Sequence, residues 1–291
     1  TDHPEQPQTG PRGSPDRSLR PPTPRTAYPP GMPPFRKSQP GAPPGYFAWE
    51  ATGLQWLGEA QADGGVPVAR VLDVGPTHLD LDRPQPVPPT RAAAAQFGER
   101  LARTHATPVP HAVQPGHGAG PPGWRGDGYF GPTADPRPLS LTPHCTWAEF
   151  YAAERLTPVA RLCRDAGVFS ATDVALLDRV AARLTDLDPQ ESPSRIHGDL
   201  WSGNILWTAN GATLIDAAAH HGHRETDLAM LALFGSAHLE VTLTAYQSVR
   251  PLADGWRGRV ALHQLYPLAV HALLFGGGYA AQPLAAARHY A

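Results

Sequence analysis

Ile196-His197-Gly198-Asp199-Leu200-Trp201-Ser202-Gly203-Asn204, followed closely by Leu214-Ile215-Asp216, is the stretch on which the reading of this chain turns. Between the two parts, Ile205 to Thr208 and Ala212 to Ile215 are short apolar runs joined through Ala209, Asn210 and Gly211, the composition of a β-hairpin. A hairpin returns the chain to its start, so Asn204 and Asp216 fall at one open end with Asp199 just before them. Three oxygen-bearing side chains converge. Phosphoryl transfer needs this set: one carboxylate to orient a hydroxyl and take its proton, and an amide with a second carboxylate to hold hard Mg²⁺ ions on nucleotide phosphates. Asp199 is the candidate base, and Asn204 and Asp216 are the candidate metal ligands. An Asx turn with solvated hairpin ends would use the same residue types. The chain has only two asparagines, however, so a chance His-x-Asp-x-x-x-x-Asn is on the order of one in a hundred by composition.

Outward from the hairpin, the patterning is mainly helical. Arg91 to Ala106 carries Ala94, Phe97, Leu101 and Thr104 on one face; roughly 40 residues of Gly/Pro-rich loop follow. Helical spacing returns at Trp147 to Asp165, Thr172 to Leu187, Glu225 to Phe234, around Leu239 to Val249, and from Arg259 onward. Nearer the start, Phe47, Glu50, Ala51, Leu54 and Leu57 predict one helix up to Gly64-Gly65. Pro67 to Val74 and Thr77 to Leu81 predict two strands around Gly75-Pro76. The first 44 residues hold 14 of the 35 prolines and show neither period, so residues 1–34 are expected to be largely disordered. The expected architecture is α+β: a small β-containing lobe over 35–83, a linker near 82–89, and a larger helical lobe over 84–291.

The 291 residues can bury a sizeable core, and the net charge of -2 supplies no basic field for nucleic acid or anionic membrane. No run approaches the roughly 18 apolar residues of a spanning helix, and no signal-peptide core is present, which predicts a cytoplasmic protein. Cys145 and Cys163 are too few for a disulfide framework, and His220, His221 and His223 follow no zinc-ligand spacing. His223, Arg224, Glu225 and Asp227 read instead as a polar network at a helix start.

The spacing of Asp199, Asn204 and Asp216 matches the kinase catalytic loop and its later metal-binding Asp. With its flanks the match narrows. His197-Gly-Asp-Leu-Trp-Ser-Gly-Asn204, Ile215-Asp216 and Gly222-His223-Arg224-Glu225-Thr226-Asp227-Leu228-Ala229-Met230 together resemble the signature of the fructosamine (ketosamine) 3-kinases. Gly128-Tyr129-Phe130-Gly131-Pro132, Trp147-Ala-Glu-Phe-Tyr151 and Glu154-Arg155-Leu156 are similar too. Aminoglycoside and choline kinases share the His-x-Asp and Asp elements but typically lack the Trp-Ser-Gly-Asn and Gly-His-Arg-Glu combination. The resemblance implies a bilobal protein-kinase-like fold and Mg·ATP-dependent phosphorylation of the sugar 3-hydroxyl of small-molecule or protein-bound ketosamines, whose products decompose, a deglycation. A monomer is expected. Trp201 stands where the family presents an aromatic face to the sugar-amine. Phe35-Arg36-Lys37 resembles the strand that supplies the phosphate-binding Lys, with Glu50 in the matching place on the next helix.

Two departures from the family stand out. Residues 1–34 contain no Gly-x-Gly-x-x-Gly run between apolar strands, so the small lobe is expected to be incomplete, as a shifted reading frame or truncated gene model would leave it. At the hinge, where the family pairs its backbone with adenine, this chain has Leu81-Asp82-Arg83-Pro84: the Asp82 carbonyl can accept from the adenine amino group, and Pro84 has no N–H to donate. The alternatives to a ketosamine kinase are an aminoglycoside- or choline-type kinase and a catalytically impaired, pseudokinase-like binding protein.

Overall fold

Phe35–Ser38 (β1), Val71–Gly75 (β2) and His78–Leu81 (β3) form an antiparallel sheet in the order β1-β3-β2, in a computed structural model that describes residues 33–108 and 116–291. Phe35 pairs with Leu81 and Lys37 with Leu79, so β3 is central and its last three residues are buried. The segment expected to be disordered lies outside the described residues, apart from Pro33 and Pro34.

The helix read from Phe47 onward is Tyr46–Glu59 (α1). It tightens into a 3₁₀ turn at Ala60–Asp63 and stops at Gly64, whose φ of 78° is left-handed. Phe47, Ala51, Leu54 and Leu57 are buried against Leu79 and Leu81, and against Ala217 and Ala219 just after Asp216. Gly53 lets the two backbones approach, since a Cβ there would stand 3.2 Å from that of Ala219.

The strand expected from Pro67 starts only at Val71. Pro67 to Ala69 are taken up elsewhere: Leu214 N–H donates to the Pro67 carbonyl at 2.9 Å and Ala69 N–H to the Leu214 carbonyl at 2.8 Å. Leu214 closes the hairpin of Ile205–Thr208 (β7) and Gly211–Leu214 (β8).

Arg91–Ala106 (α2) begins at Thr90, whose Oγ1 accepts the Ala93 N–H at 3.1 Å, and packs on Leu239–Val249 (α7). The helices touch backbone to backbone at Gly98, where a Cβ would fall inside the radius of the Thr242 carbonyl. Gly98→Ala is therefore expected to destabilise the protein by about 1–3 kcal/mol. A thermal melt equal to wild type would show that α2 and α7 part without cost.

The long loop after α2 holds one small hairpin that period alone could not reveal, Gly128–Phe130 (β4) with Arg137–Leu139 (β5); three residues are too few for alternation to register, and Pro138 interrupts. The helix from Trp147 to Asp165 is continuous but not uniform. Trp147–Phe150 (α3) starts with a Thr146/Glu149 capping box, Tyr151–Leu156 is a π-helical turn, and Thr157–Asp165 (α4) follows. Pro158 has no N–H for the Glu154 carbonyl, and Arg155 Nη1 donates to that carbonyl instead, at 3.0 Å. Ala171–Leu187 (α5) has its own capping box, from Ser170 and Asp173.

Two further strands, Ser194–Ile196 (β6) and His220–Gly222 (β9), pair antiparallel and frame the loop that carries Asp199. Arg224–Leu233 (α6), Trp256–His263 (α8), Leu265–Phe275 (α9) and Ala281–Tyr290 (α10) complete the helices; the last three break the run expected from Arg259 at Gln264 and Gly276. The largest core cluster lies among α3, α4, α5, α9 and α10, so most of the buried surface is helical. Among the described residues no helix is long and apolar enough to cross a membrane.

Candidate functional site

The loop after β6 is shaped by hydrogen bonds that leave one free carboxylate oxygen. His197 Nε2 lies 2.8 Å from the Ile215 carbonyl and must donate to it, so Nδ1 is the acceptor for the Asp199 N–H at 3.2 Å. One imidazole thus ties the loop to the end of the hairpin. Gly198 has φ 82°, and a Cβ there would collide with the Ala218 carbonyl, so only glycine fits the crossing. Asn204 is 4% exposed at the end of the 3₁₀ turn Ser202–Asn204. Its Nδ2 donates to the Asp199 carbonyl at 2.8 Å and to Asp199 Oδ2 at 3.1 Å, which leaves Oδ1 as its ligand atom. Burial raises the pKa of Asp199 above the ordinary carboxylate value, and the neighbouring Asp216 carboxylate adds to the rise.

Beneath the loop sits Asp227, fully buried on the first turns of α6. Its carboxylate accepts the His197 N–H at 2.7 Å, the Gly198 N–H at 3.0 Å and His105 Nε2 at 3.1 Å. An ionised carboxylate only accepts, so His105 donates through Nε2 and takes the Tyr246 hydroxyl proton at Nδ1, 2.9 Å away. Burial holds His105 below its usual pKa and thus neutral. Burial would raise Asp227, but its donors outweigh that and keep its pKa lowered. The remaining helix-start residues are structural: His223 caps α6, Arg224 pairs with Glu191 at 2.5 Å, and Glu225 pairs with Arg259 at 2.6 Å.

From β1, Lys37 Nζ reaches both Glu50 oxygens of α1 at 2.9 Å and Asp216 Oδ1 at 2.6 Å. Burial opposes the Lys37 charge, yet Glu50 and Asp216 together outweigh it and raise its pKa. Asp216 has φ 57°, a left-handed backbone that an Asp tolerates better than a branched residue. Lys37, Glu50, Asp199, Trp201 and Asp216 all line one cavity of about 470 Å³, and Asn204 lies directly behind Asp199. Trp201 is 39% exposed at its edge, T-shaped to Phe234, and a Cβ on Gly203 would occupy the space of its ring. The ligand set on the transfer side is all oxygen, from Asp216 and the Asn204 amide, which suits Mg²⁺ and no soft metal.

The four hinge residues lie apart from this cavity. Leu81 has its side chain in the core with Leu79. The Asp82 N–H donates to the Arg70 carbonyl at 2.9 Å while Asp82 Oδ1 accepts the Arg70 N–H at 2.6 Å. The Arg83 guanidinium lies 5.9 Å from the Phe35 ring centre, and Pro84 follows. With the Asp82 N–H engaged and Pro84 lacking one, carbonyls are what these two positions offer a base.

Several lining residues were given no site role from sequence: Tyr266, His271 and Phe275 of α9, Phe234 after α6, and Arg155 of the π-turn, the last named only within the family-like stretch Glu154-Arg155-Leu156. The i, i+4 spacing of Pro267, His271 and Phe275 is the signal that could have marked α9 as a wall. His223, Glu225 and His263 bring ligand-type atoms within 4.8 Å of one another. His223 Nδ1 already accepts the Glu225 N–H at 3.1 Å, so its Nε2 carries the proton, and Glu225 is held by Arg259; the cluster fits a buried polar network better than a cation.

The family model for fructosamine kinases matches residues 33–288. The chain belongs to the fructosamine kinase family. A probable ketoamine kinase of Escherichia coli K12, YniA, is 32% identical over 243 residues, covering 80% of this chain and 76% of the relative. For a probable ketoamine kinase of Vibrio parahaemolyticus the figures are 34% over 187 residues, 64% of this chain and 59% of the relative, so the match spans about three fifths of that protein's length. A crystal structure described as that of a fructosamine-3-kinase from Thermobifida fusca superposes with a TM-score of 0.78 at 44% identity, covering 89% of this chain and 85% of that one. The streptomycin–ATP complex of APH(2″)-IIa, 10% identical with a TM-score of 0.55, shares the fold alone. The chain thus has the kinase-like α+β fold, in the form found in the fructosamine kinase family.

Proposed function

We propose that this chain transfers the γ-phosphoryl group of ATP to the 3-hydroxyl of a ketosamine, giving a phosphorylated adduct that decomposes and so reverses glycation. The observation that carries this reading is the meeting of Lys37, Asp199, Asn204 and Asp216, drawn from three separate segments, beside one aromatic-lined cavity. Asp199 accepts the proton of the sugar hydroxyl as its oxygen attacks phosphorus, and its raised pKa makes it a better proton acceptor than an exposed carboxylate. Asp216 and Asn204 Oδ1 hold magnesium, which when bound neutralises charge on the phosphates. Lys37, steadied by Glu50, contributes its charge to the same phosphates. The Asp82 carbonyl takes the adenine amino group, with Leu81, Arg83 and Pro84 around the base. Trp201 lays its ring against the sugar-amine. The small lobe over 35–83 carries the nucleotide contacts and residues 84–291 the transfer chemistry.

A panel of fructosyl- and ribulosyl-amines, an aminoglycoside and choline, each with Mg·ATP, tests the reading. Phosphate is expected on the ketosamines alone. Transfer only to the aminoglycoside or choline would replace the acceptor, and calorimetry showing no Mg·ATP binding would remove the kinase reading altogether.

A further inference from the structure

Arg155 is the one cation in the cavity wall besides Lys37 among the described residues, apart from histidines, and it is only 4% exposed. Nη1 donates to the Ser140 and Glu154 carbonyls at 3.0 Å each, while Nη2 has no partner. Its sequence neighbour Glu154 acts on it through the electrostatic field, but the hydrogen bond between them goes to the Glu154 carbonyl. The Glu154 carboxylate is taken by the Ser140 hydroxyl at 2.5 Å and by His144 Nε2 at 2.9 Å. The guanidinium is instead held 4.4 Å from the Phe150 ring centre and 5.6 Å from that of Tyr266. Ring faces offset part of the cost of burying a charge, but they cannot satisfy an N–H.

Two further observations place this cation in the substrate's space. It sits on the π-turn Tyr151–Leu156, which also points Tyr151 to the same cavity, and such turns inside α-helices concentrate at functional sites. The Tyr266 hydroxyl lies in the electrostatic field of both Arg155 and Asp199, and all three residues line the one cavity. Burial pushes that hydroxyl up to about 12, keeping it a donor. Beyond Glu50, Asp199 and Asp216, no acidic residue among the described residues lines the cavity.

We propose that Arg155, with Tyr266, forms an oxyanion subsite in the acceptor cavity, so that this chain prefers ketosamines carrying a carboxylate or phosphate group over neutral ones. The inference rests on the kinase reading above. Carboxylate and phosphate satisfy a guanidinium equally well. The carboxylate would belong to the amine half, as in a glycated free amino acid, and the phosphate to the far end of the sugar.

Three acceptors decide it: the fructosamine of isobutylamine, that of glycine, which is nearly isosteric but carries a carboxylate, and the 6-phosphate of the isobutylamine adduct. Wild-type KM is expected to be about ten- to a hundredfold lower for one of the anionic acceptors than for the neutral one. Which one identifies the source of the anion. Arg155→Gln should raise that KM by the same factor and the KM of the neutral acceptor far less, so that the preference between them is lost. Equal KM for all three in the wild type, or a rise for all three alike in Arg155→Gln, overturns the subsite. Should Arg155→Gln fail to fold, the wild-type ratio decides alone. Turnover of none of the three would overturn the kinase reading and the subsite with it, whereas equal turnover overturns only the subsite.

Discussion

Asp199→Asn is expected to lower kcat on a ketosamine by about 10²–10⁴-fold, the usual worth of a positioned general base, while leaving Mg·ATP affinity nearly intact. The replacement is isosteric, and its oxygen can still accept from Asn204 Nδ2, so the loop should hold its shape and the loss should be chemical. The pH profile gives a second readout. Because burial raises the Asp199 pKa, the acid limb of kcat/KM in the wild type should lie above the ordinary carboxylate range, with activity falling as pH drops through it. In Asp199→Asn that limb should vanish. Near-normal turnover in the variant would mean that another group takes the proton.

The second large effect is expected at Asp227. Removing its carboxylate in Asp227→Ala strands the buried His197 N–H and the half-buried Gly198 N–H and leaves the buried His105 without its acceptor. Breaking such a buried charged network costs about 3–5 kcal/mol, a large share of the roughly 5–15 kcal/mol that holds a protein folded. Urea unfolding should show the loss, and kcat should fall with it because the Asp199 loop is hung on the same carboxylate. The sign with pH follows from the lowered Asp227 pKa. Its stabilisation is full above the unfolded-state value and disappears as pH falls through the folded one, so the variant should have a flatter acid side to its stability curve. A stable Asp227→Ala with wild-type kcat would show that the loop holds itself.

Most of the helical frame and the β7–β8 hairpin could be read in the chain because their signals are long or local. Helix α2 spans 16 residues with one buried face and a Thr cap, and α5 spans 17 with a capping box. The hairpin turns on Gly211, whose φ of 107° few other residues adopt. What escaped was short or set by tertiary contact. Strands β6 and β9 have three residues each, and their paired residues lie far apart in the chain, from Ser194 with Gly222 to Ile196 with His220, beyond any local pattern. Pro67 to Ala69 look like strand and do pair, but with Leu214 rather than with β3, a choice no local propensity contains. In the site, residues tied to a motif spacing, Asp199, Asn204 and Asp216, were nameable in advance; Arg155 stood only within a family-like stretch, without a role, and Tyr266 carried no signal. Their place depends on a π-turn and on the packing of α9, which emerge only when the chain is folded.

The pairing of Leu214 with Pro67 and Ala69 also limits how the cleft can breathe. Glu50 rides on α1, and Asp216 follows two residues after Leu214, so the two backbone bonds at 2.8 and 2.9 Å, with Gly53 seated on Ala219, weld the carriers of both carboxylates into one rigid block. A clamshell motion that swung α1 outward would have to break that weld. Strand β1, by contrast, has its ladder bonds to β3 alone among the described residues, and it is tied to the block otherwise through the Lys37 side chain on Glu50 and Asp216. The compliant part of the jaw is therefore the strand that bears Lys37, and adjustment to an arriving nucleotide falls on one strand rather than on a lobe.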